Sequence, residues 1–118
     1  MPRVIHFEIP AENPERAMDF YKNVFGWTFQ GMPGMEYWFI DTGKEDMGIN
    51  GAIMKRPGPI TNNISVGSIE DYTNKITAAG GEIVVPKTTI PGMGYYSYFK
   101  DTEGNISGIW QDDKNAQL

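Results

Sequence analysis

Apolar and polar residues alternate from the start of the chain. In Val4-Ile5-His6-Phe7-Glu8-Ile9, the residues Ile5, Phe7 and Ile9 share one side, and Val4, His6 and Glu8 share the other. That period of two predicts a strand with one face on a core and a more polar second face, ended by Pro10. Asn13-Pro14 then opens a helix, with Asn as the cap and Pro in the first helical position. Ala17, Phe20, Tyr21 and Val24 recur at helical spacing and predict its buried stripe, and Gly26 stops it. Trp27–Phe29, Tyr37–Ile40 and Asn50–Met54 read as three further strands, the first two separated by the turn Gly31-Met-Pro-Gly34. Pro57-Gly58-Pro59 breaks the chain near its midpoint.

The pattern then begins again. In Thr61–Val66, the apolar Ile64 and Val66 alternate with Thr61, Asn63 and Ser65. A helix follows from about Ile69 to Ala79, with Ile69, Tyr72, Ile76 and Ala79 as its apolar spacing and Gly80-Gly81 as its end. Strands are expected at Glu82–Val85, Gly94–Lys100 and Ile106–Trp110. An offset of 55 places His6 over Thr61 and Gly26 over Gly81. The order strand, helix, three strands therefore occurs twice, an internal repeat of architecture within one domain. The expected class is α+β: two βαβββ modules, at 3–56 and 60–112 of the single domain 1–118, forming a cup-shaped mixed sheet. Each helix covers one sheet face, so the other face, carrying His6, Glu8, Thr61, Asn63 and Ser65, is expected to line a cleft. A few polar groups among many aromatics suit a small-molecule site.

Composition narrows the function. A chain of 118 residues is one ordinary domain with enough material for a core. The absence of cysteine excludes disulfide scaffolds, thiolate metal sites and cysteine nucleophiles. A net charge of −5 argues against nucleic acid. Charge-free runs such as Pro57–Ile69 are shorter than a bilayer span and contain polar residues, and no apolar signal stretch opens the chain. A cytoplasmic protein without membrane contact is the expectation. Glycine is abundant, at 14 residues, and marks helix ends and two similar Met/Pro/Gly loops, Gly31–Met35 and Ile90–Gly94.

Three segments carry a resemblance. Asn13-Pro-Glu-Arg-Ala-Met-Asp-Phe-Tyr-Lys-Asn-Val-Phe-Gly-Trp27 resembles the first helix of the vicinal oxygen chelate superfamily, which includes glyoxalase I, bleomycin-resistance proteins and extradiol dioxygenases. Phe99-Lys-Asp-Thr-Glu-Gly-Asn-Ile-Ser-Gly-Ile-Trp110 resembles its last strand, with Thr102 where proline is usual, and Gly80-Gly-Glu-Ile-Val-Val-Pro86 also fits. The resemblance implies paired βαβββ modules, frequent homodimers, and, in the enzymes, a divalent metal held by His and Glu from the first, fourth, fifth and eighth strands. Carried over by position, only His6 is retained. Thr61 stands at the fifth-strand ligand position and Gly108 at the eighth, and the fourth falls near Gly51 or Ala52. With one histidine in the chain, a family-type metal triad is not expected. His6 with Glu8 could hold a divalent ion weakly, with an added oxygen from Asn63.

The candidates follow from both lines of reasoning. His6 and Glu8 are the candidate catalytic pair, since a histidine near its ordinary pKa suits proton transfer and a carboxylate lies beside it. Trp38, Thr61, Asn63, Tyr96, Tyr98 and Trp110 are the candidate ligand-binding residues. Gly51 and Gly108 are expected on the cleft side of their strands, where a missing side chain enlarges the cavity. The leading expectation is a glyoxalase-like protein binding a small organic molecule, its reaction unassigned. The alternative is a metal-dependent lyase or dioxygenase using His6 and Glu8. A homodimer is expected.

Overall fold

The computed structural model describes residues 2–118. Its elements run β1 (Arg3–Ala11), α1 (Pro14–Phe25), β2 (Thr28–Gly31), β3 (Tyr37–Asp41), β4 (Asn50–Lys55), β5 (Thr61–Ser65), α2 (Ile69–Ala78), β6 (Glu82–Ile90), β7 (Gly94–Lys100) and β8 (Ile106–Asp112). The βαβββ order thus occurs twice, and the fold is α+β. The chain divides into two compact units, Ile5–Thr61 and a second built mainly from Asn62–Leu118. No helix among the described residues is long and apolar enough to cross a membrane.

In the first unit the strand order is β2-β3-β4-β1, with β1 parallel to β4 and the other neighbours antiparallel. β1 continues through Pro10, which pairs with Met54, instead of ending there. Asn13 caps α1 by accepting a hydrogen bond from the Arg16 N–H at 3.1 Å, and Gly26 closes it at φ 74°, a conformation that costs glycine little. Ala11, Ile40 and Ile53 form the core, with Phe7, Ile9, Ala17, Met18, Tyr21, Trp27 and Phe29 packed on it. Trp27 lies flat on Tyr21 at 5.1 Å between ring centroids. One correction concerns the helix stripe. Phe20 and Val24 are 57% and 56% exposed, and Met18 takes their place beside Ala17 and Tyr21. At about 100° per residue, Ala17, Met18 and Tyr21 lie on one arc of the helix, and Phe20 and Val24 fall outside it toward solvent.

In the second unit the order is β5-β8-β7-β6, with β5 parallel to β8 and the other neighbours antiparallel. Ser68 caps α2 through its hydroxyl. Val66, Ile69 and Ile109 are the core, covered by Ile64, Tyr72, Ile76, Tyr95 and Phe99. β6 runs past Pro86 to Ile90 with two register shifts against β7, which accommodate a residue that cannot donate to the ladder.

Candidate functional site

Each unit carries its own group of side chains on the polar face of its strands. In the first unit, strand alternation keeps His6 and Glu8 on the face away from the core residues Phe7 and Ile9. The parallel register sets Glu8 beside Ala52, and the antiparallel register sets Phe39 beside Ala52 and Tyr37 beside Met54. Tyr37 therefore shares the face of His6 and Glu8. Its hydroxyl donates to Glu8 Oε2 at 2.6 Å and lies 2.9 Å from His6 Nε2. The Thr61 hydroxyl donates to Glu8 Oε1 at 3.3 Å. Glu8 is buried, at 6% exposure, so these donors replace the water its carboxylate has lost. His6 Nε2 is 4.0 Å from Glu8 Oε2.

Burial holds the His6 imidazole below its ordinary pKa, with the Glu8 charge pulling the other way. A histidine depressed on folding stabilises the fold above its unfolded value, about 6.5. That contribution is lost as pH falls through the lower folded value, because the unfolded chain then binds the extra proton. The melting temperature is therefore expected to drop more between pH 7.5 and 5.5 in the wild type than in His6→Gln. Equal drops would show that His6 titrates alike in both states.

In the second unit the register sets Asn63 beside Gly108, Tyr98 beside Gly108, and Tyr96 beside Trp110. These residues share one face, opposite Ile109 and Ser97. Tyr96 and Tyr98 meet edge to face at 5.6 Å between centroids. The Trp110 indole N–H donates to Asp112 Oδ1 at 2.6 Å. Asn63 is buried, and its side-chain nitrogen has no hydrogen-bond partner. Its oxygen stands where a Gly108 side chain would be, 2.2 Å from the position of a Cβ there.

Asn63, Tyr96, Tyr98 and Trp110 thus fall together within the second unit, and His6, Glu8 and Thr61 within the first, as the alternation predicts. Two expectations are corrected. Trp38 shares the face of Ile40 and Ile53, the α1 side, and its ring covers Gly31. Tyr37 occupies the polar face instead, and reading the sequence by pattern did not single it out. Gly51 also lies on the core face: it pairs with Phe7, and a Cβ there would stand 2.7 Å from the Phe7 ring. The first-unit equivalent of Gly108 is Ala52, since Glu8 pairs with Ala52 as Asn63 pairs with Gly108.

Residues 3–107 match the Glyoxalase/Bleomycin resistance protein/Dioxygenase superfamily. The chain belongs to that superfamily. CFP32 of Mycobacterium tuberculosis (strain CDC 1551 / Oshkosh), named as a glyoxylase, is 26% identical over 110 residues, 86% of this chain but 41% of that protein. The chain therefore spans less than half of that relative. A glyoxylase-like domain-containing protein of Didymella fabae is 27% identical over 113 residues, covering 86% of this chain and 88% of the other. A solved superfamily member from Vibrio splendidus 12B01 has TM-score 0.68 at 14% identity, covering 96% of this chain and all of that one. Methylmalonyl-CoA epimerase of Streptomyces coelicolor has TM-score 0.67 at 10% identity, covering 98% of each chain. These two share the fold.

The donors that this superfamily domain presents at the implied metal positions are a histidine, an alanine, a threonine and a glycine. Ala52 has no donor atom, and a carboxylate at position 108 would collide with the Asn63 amide. His6 Nε2 is engaged with Tyr37, and among the described residues no three His, Cys, Asp or Glu side chains converge. The residues present do not fit the His/Glu metal set.

Proposed function

We propose that this glyoxalase-superfamily domain binds a small, neutral, ring-containing organic molecule without the metal set of the enzymes. The observation that carries the reading is the face shared by Tyr96, Tyr98 and Trp110 with the Asn63 amide, which takes the space that a side chain at Gly108 would need. Aromatic faces supply apolar contact area at low entropic cost, and polar groups at their margin fix orientation. The −5 charge favours neutral over anionic ligands.

A library of neutral aromatic fragments, followed through the ring resonances of Tyr96, Tyr98 and Trp110, tests it. Binding fragments are expected to move those resonances together, and Tyr98→Ala is expected to weaken them by about tenfold, one ring contact. Fragments that bind only elsewhere would overturn the reading. So would a divalent metal at one per chain that is lost in His6→Ala; that result favours a metal-dependent lyase or dioxygenase using His6 and Glu8.

A further inference from the structure

The chain of hydrogen bonds on the first unit fixes more than the positions of its members. A tyrosine hydroxyl has one proton. Tyr37 spends it on Glu8 Oε2 at 2.6 Å, a length typical of donation to a carboxylate. The 2.9 Å contact between Tyr37 and His6 Nε2 is then a hydrogen bond only if the imidazole is the donor. His6 must carry its proton on Nε2. In the neutral ring the other nitrogen, Nδ1, then has a free lone pair, and it makes no hydrogen bond among the described residues. The His6 side chain is 23% exposed, against 8% for Glu8, so the ring, not the carboxylate, is the accessible end of the chain.

We infer that His6 receives a ligand's hydroxyl group through Nδ1, with Tyr37 and Glu8 as positioning residues that lock the ring in its Nε2–H form. Burial favours the neutral ring, which keeps the lone pair available near neutral pH. The arrangement follows the rule that the hydrogen bond at one imidazole nitrogen sets the role of the other. It also selects ligands. Nδ1 accepts, so the complementary group is a donor; and the Glu8 carboxylate, 4.0 Å from Nε2, disfavours an anion. The ligand class is a neutral organic molecule carrying an O–H. This assignment is made for the first unit alone and does not depend on the reading of the second-unit face.

His6 is the one histidine of the chain, so its ring nitrogens can be read without ambiguity in ¹⁵N-labelled protein. The expected two-bond ¹H–¹⁵N spectrum at pH 7.5 has Nε2 protonated and Nδ1 bare, and Tyr37→Phe is expected to mix the two tautomers. Phenol and anisole then serve as matched probes, one with an O–H and one without. Phenol is expected to move Nδ1, anisole is not, and phenol binding is expected to weaken about fivefold in Tyr37→Phe, one ordinary hydrogen bond's worth. A wild-type ring protonated on Nδ1 would overturn the inference. Equal binding of both probes with Nδ1 unmoved would also overturn it while leaving the binding reading intact. A phenol titration that leaves Nδ1 unmoved overturns the inference whatever it does to the Tyr96, Tyr98 and Trp110 resonances.

Discussion

Gly51→Ala is expected to destabilise the domain by about 3 kcal/mol, at the upper end of the usual cost of overpacking. A Cβ at this position would stand 2.4 Å from the Phe7 backbone oxygen and 2.7 Å from its ring. The backbone oxygen belongs to β1, whose register against β4 runs from His6 to Ala11, so it cannot move without disturbing that pairing. On a domain of this size the loss corresponds to a fall in melting temperature of roughly 12 °C. Gly108→Ala is the control. Its new Cβ meets the Asn63 amide oxygen at 2.2 Å, but a side chain can rotate away, so the expected cost is about 1 kcal/mol. Adding Asn63→Ala to Gly108→Ala should return most of that loss. Thermal denaturation of the three variants checks this; equal costs for Gly51→Ala and Gly108→Ala would mean that the β1–β4 pairing yields as easily as a side chain.

Glu8→Ala is expected to cost about 3 kcal/mol, because two hydroxyls that donate to its carboxylate lose a charged acceptor, at about 1.5 kcal/mol each. Tyr37→Phe removes one of those bonds and is expected to cost about 1.5 kcal/mol. The double variant should cost less than the two singles combined, by about 1.5 kcal/mol, since both remove the same 2.6 Å bond. Denaturant unfolding of the four proteins gives that coupling directly. Strict additivity would show that the Tyr37–Glu8 pair is not coupled and its bond does not stabilise the fold.

Much of this fold was legible along the chain. The alternation of β1 set His6 and Glu8 against Phe7 and Ile9, because a strand puts neighbours on opposite sides whatever lies around it. Asn13, Pro14 and Gly26 bounded α1 by local chemistry alone. The repeated order of elements, and the family to which it points, needed no coordinates. In β7 and β8, Tyr96, Tyr98, Gly108 and Trp110 fell on one face as their spacing implied, since Ser97 and Ile109 between them mark the other.

The misplaced residues share a cause. Tyr37-Trp38-Phe39-Ile40 is apolar throughout, so no polar residue marks its outer side. Only pairing with β4 could choose between Tyr37 and Trp38, and it chose Tyr37. Gly51 has no side chain to carry a pattern, and its face was decided by its pairing with Phe7. The contact of Tyr37 with His6 and Glu8 joins residues 31 and 29 positions apart, a separation that no local spacing encodes. The sequence alone therefore determined the elements, the repeat and the superfamily, all of which depend on short-range periodicity and local backbone preference. The tertiary structure decided which aromatic completes the polar face and which imidazole nitrogen stays open, because both depend on strand register and on where a single hydroxyl proton goes.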